Sequence, residues 1–407
     1  MRHTRVLLLG PTGVDKSAAA SRLAGFLRTN FAQEIRFVDF ENQFLKPRIA
    51  ESASRNWTTF LAQDIPVQAT GWRAAWNEFR NTLNNEITIL GLHATYVSNL
   101  LGLRCPINIP SICEDFHPTL IITLIDDVYS MWGRTEARAA GDDWKGRPNL
   151  EYLISARRAE QILGDVVMSH MGPPGSRHIL CATSNTLESI ANLILFDAGV
   201  TYLSFPISAP RRLEEAGDTS FLDLINDAHR KALGQMRADR SRAFISPLAI
   251  DELPLVFRAE NASDSTLGFD ASADRWEVAK LWGEADAIIV PSLPGSVAIP
   301  IELIRAAEGM VKTDVGWRDR RLVQQASCLA IVCPKPPNEN RITRGVSDEI
   351  QTATAVGTRC FLWQKPEWDR DGFVETQFPA PGSMGASQVQ ALVKRVETLD
   401  ELIQSKP

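Results

Sequence analysis

The chain has 407 residues, 44% hydrophobic and 23% charged, a composition that excludes disordered and fibrous proteins and a length that requires two domains. A formal net charge of −6 argues against a protein that coats duplex nucleic acid, because non-specific affinity for it comes from clustered Lys and Arg. Small ligands are the expected partners. Six cysteines without C-x-x-C spacing predict free, mostly buried thiols in a reducing compartment. The N-terminal run VLLL is too short for a secretory signal, and no stretch reaches the roughly 18 uninterrupted apolar residues of a membrane span. A cytoplasmic location without a membrane partner is expected.

Short β-type runs alternate with helical periods along the chain, the pattern of parallel sheets covered by helices on both faces. Strands are predicted at RVLLLG, IRFVDF, EITILGL, TLIITLID and HILCAT, with helices starting near Lys16, Trp72 and Glu151. After the helix TLESIANLILFDAG the pattern restarts with VTYLSFPIS, RAFISPLAI, ADAIIVPSL, CLAIVCP and RCFLWQ. The predicted fold class is α/β with two doubly wound parallel-sheet domains, residues 1–198 and 199–407. The second carries an insertion over about 255–315, whose stretch 258–275 is polar and aperiodic and whose Trp276 and Trp282 serve packing. The apolar stripe of ASQVQALVKRVETLDELIQ predicts a final amphipathic helix.

The stretch GPTGVDKS follows the first strand and opens the first helix. In a phosphate-binding loop, backbone N–H groups cradle phosphates, a lysine reaches the β/γ oxygens and a Ser hydroxyl binds Mg²⁺. Gly10, Gly13, Lys16 and Ser17 hold those positions. Asp15 stands where a glycine is expected, and a carboxylate about 5 Å from a phosphate would repel it by roughly 3 kcal/mol at an effective dielectric of 20. Either the side chain turns away or nucleotide affinity is weakened. With the segment LGLHATYVSNLLGLRCPINIPSICEDFHPTLIITLIDDVYSMWGRTEAR, residues 1–195 resemble archaeal-type adenylate kinases and related P-loop nucleoside monophosphate kinases. The resemblance implies ATP with Mg²⁺ as ligand, Lys16 and Ser17 serving phosphate and metal, and Arg134 and Arg138 stabilising transferring phosphoryl charge. Asp126 and Asp127 end a β-run, where Asp126 could orient Mg²⁺ or the pair could cap a helix. His93 reads as a core or loop histidine.

In the second half, VTYLSFPISAPRR and the downstream RGVSDEI resemble the nucleoside 2-deoxyribosyltransferase superfamily, which includes nucleoside monophosphate N-glycosidases. The resemblance spans about 199–370. Cleavage of an N-glycosidic bond passes through an oxocarbenium-like state that a carboxylate can capture or stabilise. By this resemblance Glu349 is the nucleophile, Asp319 contacts or protonates the departing base, and Tyr202 holds the Glu349 carboxylate in line. Gly345 lets the chain pass close to a sugar, and Thr343, Ser208, Arg211 and Arg212 are candidate contacts of a 5′-phosphate.

Together these features predict a nucleotide-metabolising enzyme acting at a glycosidic bond through Glu349, with a nucleotide-binding first domain and a nucleoside or nucleotide as substrate. A non-turnover nucleotide sensor or scaffold, and an active P-loop phosphotransferase, are the alternatives. The resembled families also imply a homo-oligomer.

Overall fold

The computed structural model describes residues 5–52, 56–84, 86–98, 102–139, 149–171, 176–207, 217–269, 297–333, 343–364 and 391–406. Its first seven strands are β1 (Arg5–Leu9), β2 (Arg36–Asp39), β3 (Thr88–Gly91), β4 (Tyr96–Ser98), β5 (Gly102–Arg104), β6 (Leu120–Ile125) and β7 (Arg177–Ala182). The remainder are β8 (Gly199–Ser204), β9 (Arg242–Ile245), β10 (Thr266–Phe269), β11 (Val297–Pro300), β12 (Cys328–Val332), β13 (Arg359–Trp363) and β14 (Val393–Val396).

Two five-stranded sheets result, in the orders β2-β3-β1-β6-β7 and β14-β13-β12-β8-β9. Every pairing within them is parallel. The central strands are buried along almost their whole length, as LIITLI of β6 and CLAIV of β12 are. Continuous apolar runs of this kind suit strands covered on both faces. The α/β architecture with two parallel sheets is as expected.

The division of the chain is less simple than a boundary at 198/199. One compact unit comprises Met1–Leu187, Ile250–Trp276 and Ala287–Val315, and the other Glu188–Ala249, Glu277–Asp286 and Gly316–Pro407. Much of the segment expected as an insertion in the second domain is therefore part of the first unit. Buried charge explains this placement. Arg157, on the helix Leu150–Met171, donates to Glu252 at 2.7 and 3.0 Å and to Asp314 at 2.5 Å, and none of the three side chains is exposed. Glu252 also accepts from the Val128 amide at 2.6 Å, and Arg158 pairs with Asp314. A buried guanidinium without these carboxylates would be prohibitive.

Two further expectations are corrected. The helix placed at Trp72 runs over Ile65–Arg80, with Pro66 in its first turn, where a missing N–H costs nothing. The tail is not one helix: VKRV forms β14 beside β13, and Leu399–Gln404 is a separate helix after it. Val393 and Val396 complete a parallel sheet, and this pairing overrides the helical period. The β-run ADAIIVPSL and both Trp276 and Trp282 lie outside the described residues. All six cysteines are free, with Cys105 exposed and the other five buried.

An aromatic cluster packs around Phe40, the residue that follows β2. Trp72 and Trp76 stack with centroids 4.9 Å apart, and Phe40 packs on them at 5.3 and 5.7 Å. Phe40 is fully buried, so its neighbours Asp39 and Glu41 are held at fixed positions at the carboxyl end of β2.

Candidate functional site

In a doubly wound sheet, ligands bind outside the carboxyl ends of the strands where the winding reverses. In the first sheet that point lies between β1 and β6. A cleft of about 450 Å³ opens beside the loop after β1, lined among others by Gly13, Lys16, Ser17, Asp39, Trp57 and Tyr96. Gly10–Asp15 form the loop and Lys16–Phe31 the helix, as the sequence predicts. Gly13 sits at φ +92°, and a Cβ there would lie 2.8 Å from the Met131 carbonyl oxygen and 3.1 Å from its Cα. Both features demand glycine. Gly13→Ala is expected to destabilise the first unit by about 1–3 kcal/mol, measurable as a fall in the temperature of its calorimetric transition.

Asp15 adopts the left-handed conformation that a glycine would take, at φ 60° and ψ 56°, one of the few non-glycine residues to which this is accessible. Its Oδ1 accepts from the Ala18 amide at 3.4 Å. The carboxylate is thus an anion already seated on the helix N-terminus. Lys16 Nζ donates to the Gly10 carbonyl at 2.7 Å and lies 2.8 and 3.0 Å from the His93 ring nitrogens. Ser17 Oγ donates to Asp39 Oδ2 at 2.5 Å, and Asp39 also accepts from the Asn42 amide and Nδ2 at 3.1 and 2.7 Å.

Two buried carboxylates stand behind this surface. Glu41 accepts from the His93 amide at 2.6 Å and the Tyr96 hydroxyl at 2.8 Å. Glu160 accepts from the Gly10, Ala94 and Thr95 amides at 3.3, 3.2 and 2.8 Å and from the Thr95 hydroxyl at 2.8 Å, tying the loop to the segment after β3. Burial raises the Glu41 carboxyl and pushes Glu160 up to about 7, against the opposing pull of Lys16 on both.

Several predicted residues of this unit sit elsewhere than expected. Arg134 Nε donates to the Gly13 carbonyl and its guanidinium pairs with the Asp126 carboxylate. It braces the loop from behind and is not arrayed on a lid. Asp126 is 1% exposed, taken by Arg134 and the Asp127 amide, so it does not offer itself to Mg²⁺. Asp127 caps Ser130 at 2.7 Å. The Arg138 side chain lies outside the described residues. Among the described residues there is no cluster of three or more His, Cys, Asp or Glu able to hold a metal ion, and no helix is long and apolar enough to cross a membrane.

The second unit gathers its own polar group at the end of β8, beside the point where the order β14-β13-β12-β8-β9 reverses. Glu349 lies in the helix Arg344–Ala355. Its Oε1 accepts from the Tyr202 hydroxyl at 2.7 Å, and its Oε2 accepts from the Ser204 hydroxyl. Tyr202 and Ser204 are two apart on one strand and therefore on one face. Asp319, on the helix Ile301–Gln324, is held by Arg318 at 3.0 and 2.9 Å. Desolvation pushes Glu349 up to about 8, assisted by the charge of Asp319 and opposed by the two hydroxyls. Burial and the Glu349 charge keep Tyr202 a neutral phenol, well above its usual range.

The structure therefore brings Glu349 and Tyr202 into contact and sets Asp319 within electrostatic range of both. Thr343 precedes the helix without a side-chain cap, and Gly345 stands in its first turn with open space where a Cβ would be. Ser208, Arg211 and Arg212 lie outside the described residues. Ser204, Asp39, Glu41 and Glu160 are additions. The period of two along β8 marks Ser204, and the strand end marks Asp39, whereas nothing local distinguishes Glu160 within its helix.

Both raised carboxyls hold protons in the folded chain that the unfolded chain releases from about pH 4.5. The sign follows: stability from these groups is fully present below pH 4.5 and is lost as pH rises through 7 and 8. Glu349→Gln and Glu160→Gln are each expected to flatten that decline in melting temperature between pH 5 and pH 8.5.

Comparison of the chain with protein-family models and with curated proteins finds no match.

Proposed function

We propose that the second unit cleaves or transfers at the N-glycosidic bond of a nucleoside or nucleotide, with Glu349 as nucleophile. The observation that carries this reading is the two-sided grip on the Glu349 carboxylate, one oxygen held by Tyr202 and the other by Ser204. A carboxylate anchored in this way keeps one orientation while it attacks. Its oxygen bonds to the anomeric carbon as the carbon–nitrogen bond breaks, and the bonding pair leaves with the base. Asp319 contacts the departing base. Water or a second base then releases the sugar from Glu349, giving hydrolysis or transfer.

Attack requires the ionised form of Glu349. With its carboxyl near 8, kcat/KM is expected to rise with pH and level off above about 8, a profile readable from initial rates.

ATP with Mg²⁺ would fall to Lys16, Ser17 and Asp39 in the first unit, but the surroundings do not suit a triphosphate. Asp15 covers the Ala18 amide, and Lys16 faces the Gly10 carbonyl while compensating two buried carboxylates. We derive no phosphoryl transfer from this cleft. A sensor or scaffold without turnover remains the second reading, favoured by this same poor fit.

Chromatography of a mixture of nucleosides, nucleotides and nucleotide cofactors incubated with the wild type and Glu349→Ala tests the proposal. Free base formed only by the wild type supports it. No free base from any member, or equal release by the variant, overturns it.

A further inference from the structure

We propose that the cleft of the first unit binds an uncharged nucleoside, and that Asp15 bars nucleoside phosphates from it. The proposal rests on reading the chain as one that handles nucleosides, and is independent of the chemistry assigned to Glu349.

The charge around the cleft is the first argument. Asp15, Asp39 and Glu41 line it together with Lys16 and Lys46. Lys16 Nζ is turned to the Gly10 carbonyl and His93, and its charge acts on the buried Glu41 and Glu160. Lys46 Nζ donates to Asn42 Oδ1 at 2.7 Å and lies 5.7 Å over the Trp57 ring. Both cations are thus engaged by the protein. An arriving phosphate would meet a surplus of carboxylates, the nearest of them on the very helix end that ordinarily receives it.

Shape and chemistry supply the second argument. A cleft of about 450 Å³ has the scale of a small-molecule site and can hold a base with its sugar. Phe37, Trp57, Leu61 and Tyr96 give it an apolar, aromatic wall. Tyr96 is fixed by its bond to Glu41 and by an edge contact with Trp57 at 5.3 Å. Also lining the cleft, Asp39 accepts three hydrogen bonds, and a carboxylate has about four acceptor sites. The remaining capacity suits a sugar hydroxyl. An aromatic face for the base and a carboxylate for a hydroxyl, with both lysines of the described lining engaged by the protein, describe a nucleoside. A simple cation would be disfavoured by Lys16 and Lys46, which line the same cleft.

Equilibrium dialysis on the full chain carrying Glu349→Gln tests this without consumption of ligand. The probes are the four common ribonucleosides and 2′-deoxyribonucleosides, with their 5′-monophosphates and Mg²⁺-triphosphates. The expected result is binding of at least one nucleoside below about 1 mM, with its triphosphate at least about tenfold weaker. Trp57→Ala and Asp39→Ala should each weaken the nucleoside about tenfold. Asp15→Asn, which keeps the left-handed turn and the cap, should narrow the gap to the triphosphate about tenfold. Tighter binding of a triphosphate to Asp15-bearing chain overturns the proposal, as does absence of any nucleoside binding. Nucleoside binding unchanged in Asp39→Ala and Trp57→Ala places the ligand elsewhere and overturns it too. These outcomes are separate from base release, which reports on Glu349 alone.

Discussion

Glu349→Gln should lower base release by about a thousandfold, within the range that loss of a directly participating acid–base or nucleophilic group produces. Glutamine keeps the shape of the side chain and can still meet the Tyr202 and Ser204 hydroxyls, so the fold should survive. What it loses is the negative oxygen to which the proposed mechanism gives the attack. The two hydroxyls allow a finer test, because they lower the pKa of Glu349 while burial raises it. Tyr202→Phe removes a hydrogen bond to a charged group, worth about 1.5–3 kcal/mol. It should slow base release about ten- to a hundredfold and move the rising limb of the pH–rate profile to higher pH. A Tyr202 that only packs the core would leave that limb in place. Initial rates from pH 6 to 10 for the wild type and both variants decide the matter, and an unmoved limb with an unchanged rate would remove Tyr202 from the mechanism.

The largest stability effect is expected at Arg157. Its guanidinium, like the Glu252 and Asp314 carboxylates it bridges, is not exposed at all. Burial alone would lower its pKa, but the two carboxylates more than offset this and hold it above its usual value. Arg157→Met removes the cation that bridges two buried carboxylates and leaves Asp314 with Arg158 alone, at a cost of about 3–5 kcal/mol. For a unit of this size the corresponding fall in melting temperature is roughly 10 °C. Calorimetry should show the loss in the transition of the first unit, and hydrogen exchange should quicken in the helix Leu253–Asn261. A change below about 1 kcal/mol would mean the cluster contributes no net stability. The expression of residues 1–198 alone should yield an unstable product for the same reason, since it contains Arg157 but neither carboxylate.

Much of this architecture is legible in the sequence. Apolar runs such as LIITLI and CLAIV leave few alternatives to buried parallel strands, and glycine followed by lysine after β1 fixes a loop and a helix start. Tyr202, Asp319 and Glu349 could be nominated through the resemblance that their order carries, although Tyr202 lies more than a hundred residues before the other two. Other features depend on partners that no local pattern reveals. Arg157 reads as one more charged helix residue until Glu252 and Asp314 are seen beside it. VKRV has a helical context, and only the open edge of β13 makes it a strand. Arg134 has the position expected of a phosphate-binding residue, but the Gly13 carbonyl and Asp126 have claimed it. Asp15 is intermediate, since its presence is plain in the sequence while its left-handed turn and its bond to Ala18 arise only in the folded loop.

The interleaving of the two units also has a consequence for synthesis. The guanidinium of Arg157 must wait for Glu252, and then for Asp314, to be translated before its charges balance. At typical elongation rates that delay is on the order of ten seconds. During it β8 and β9, which belong to the other unit, have already emerged. The first unit therefore cannot complete its buried charge cluster until strands of the second have been made, so each unit has to wait on the ribosome with part of the other already exposed.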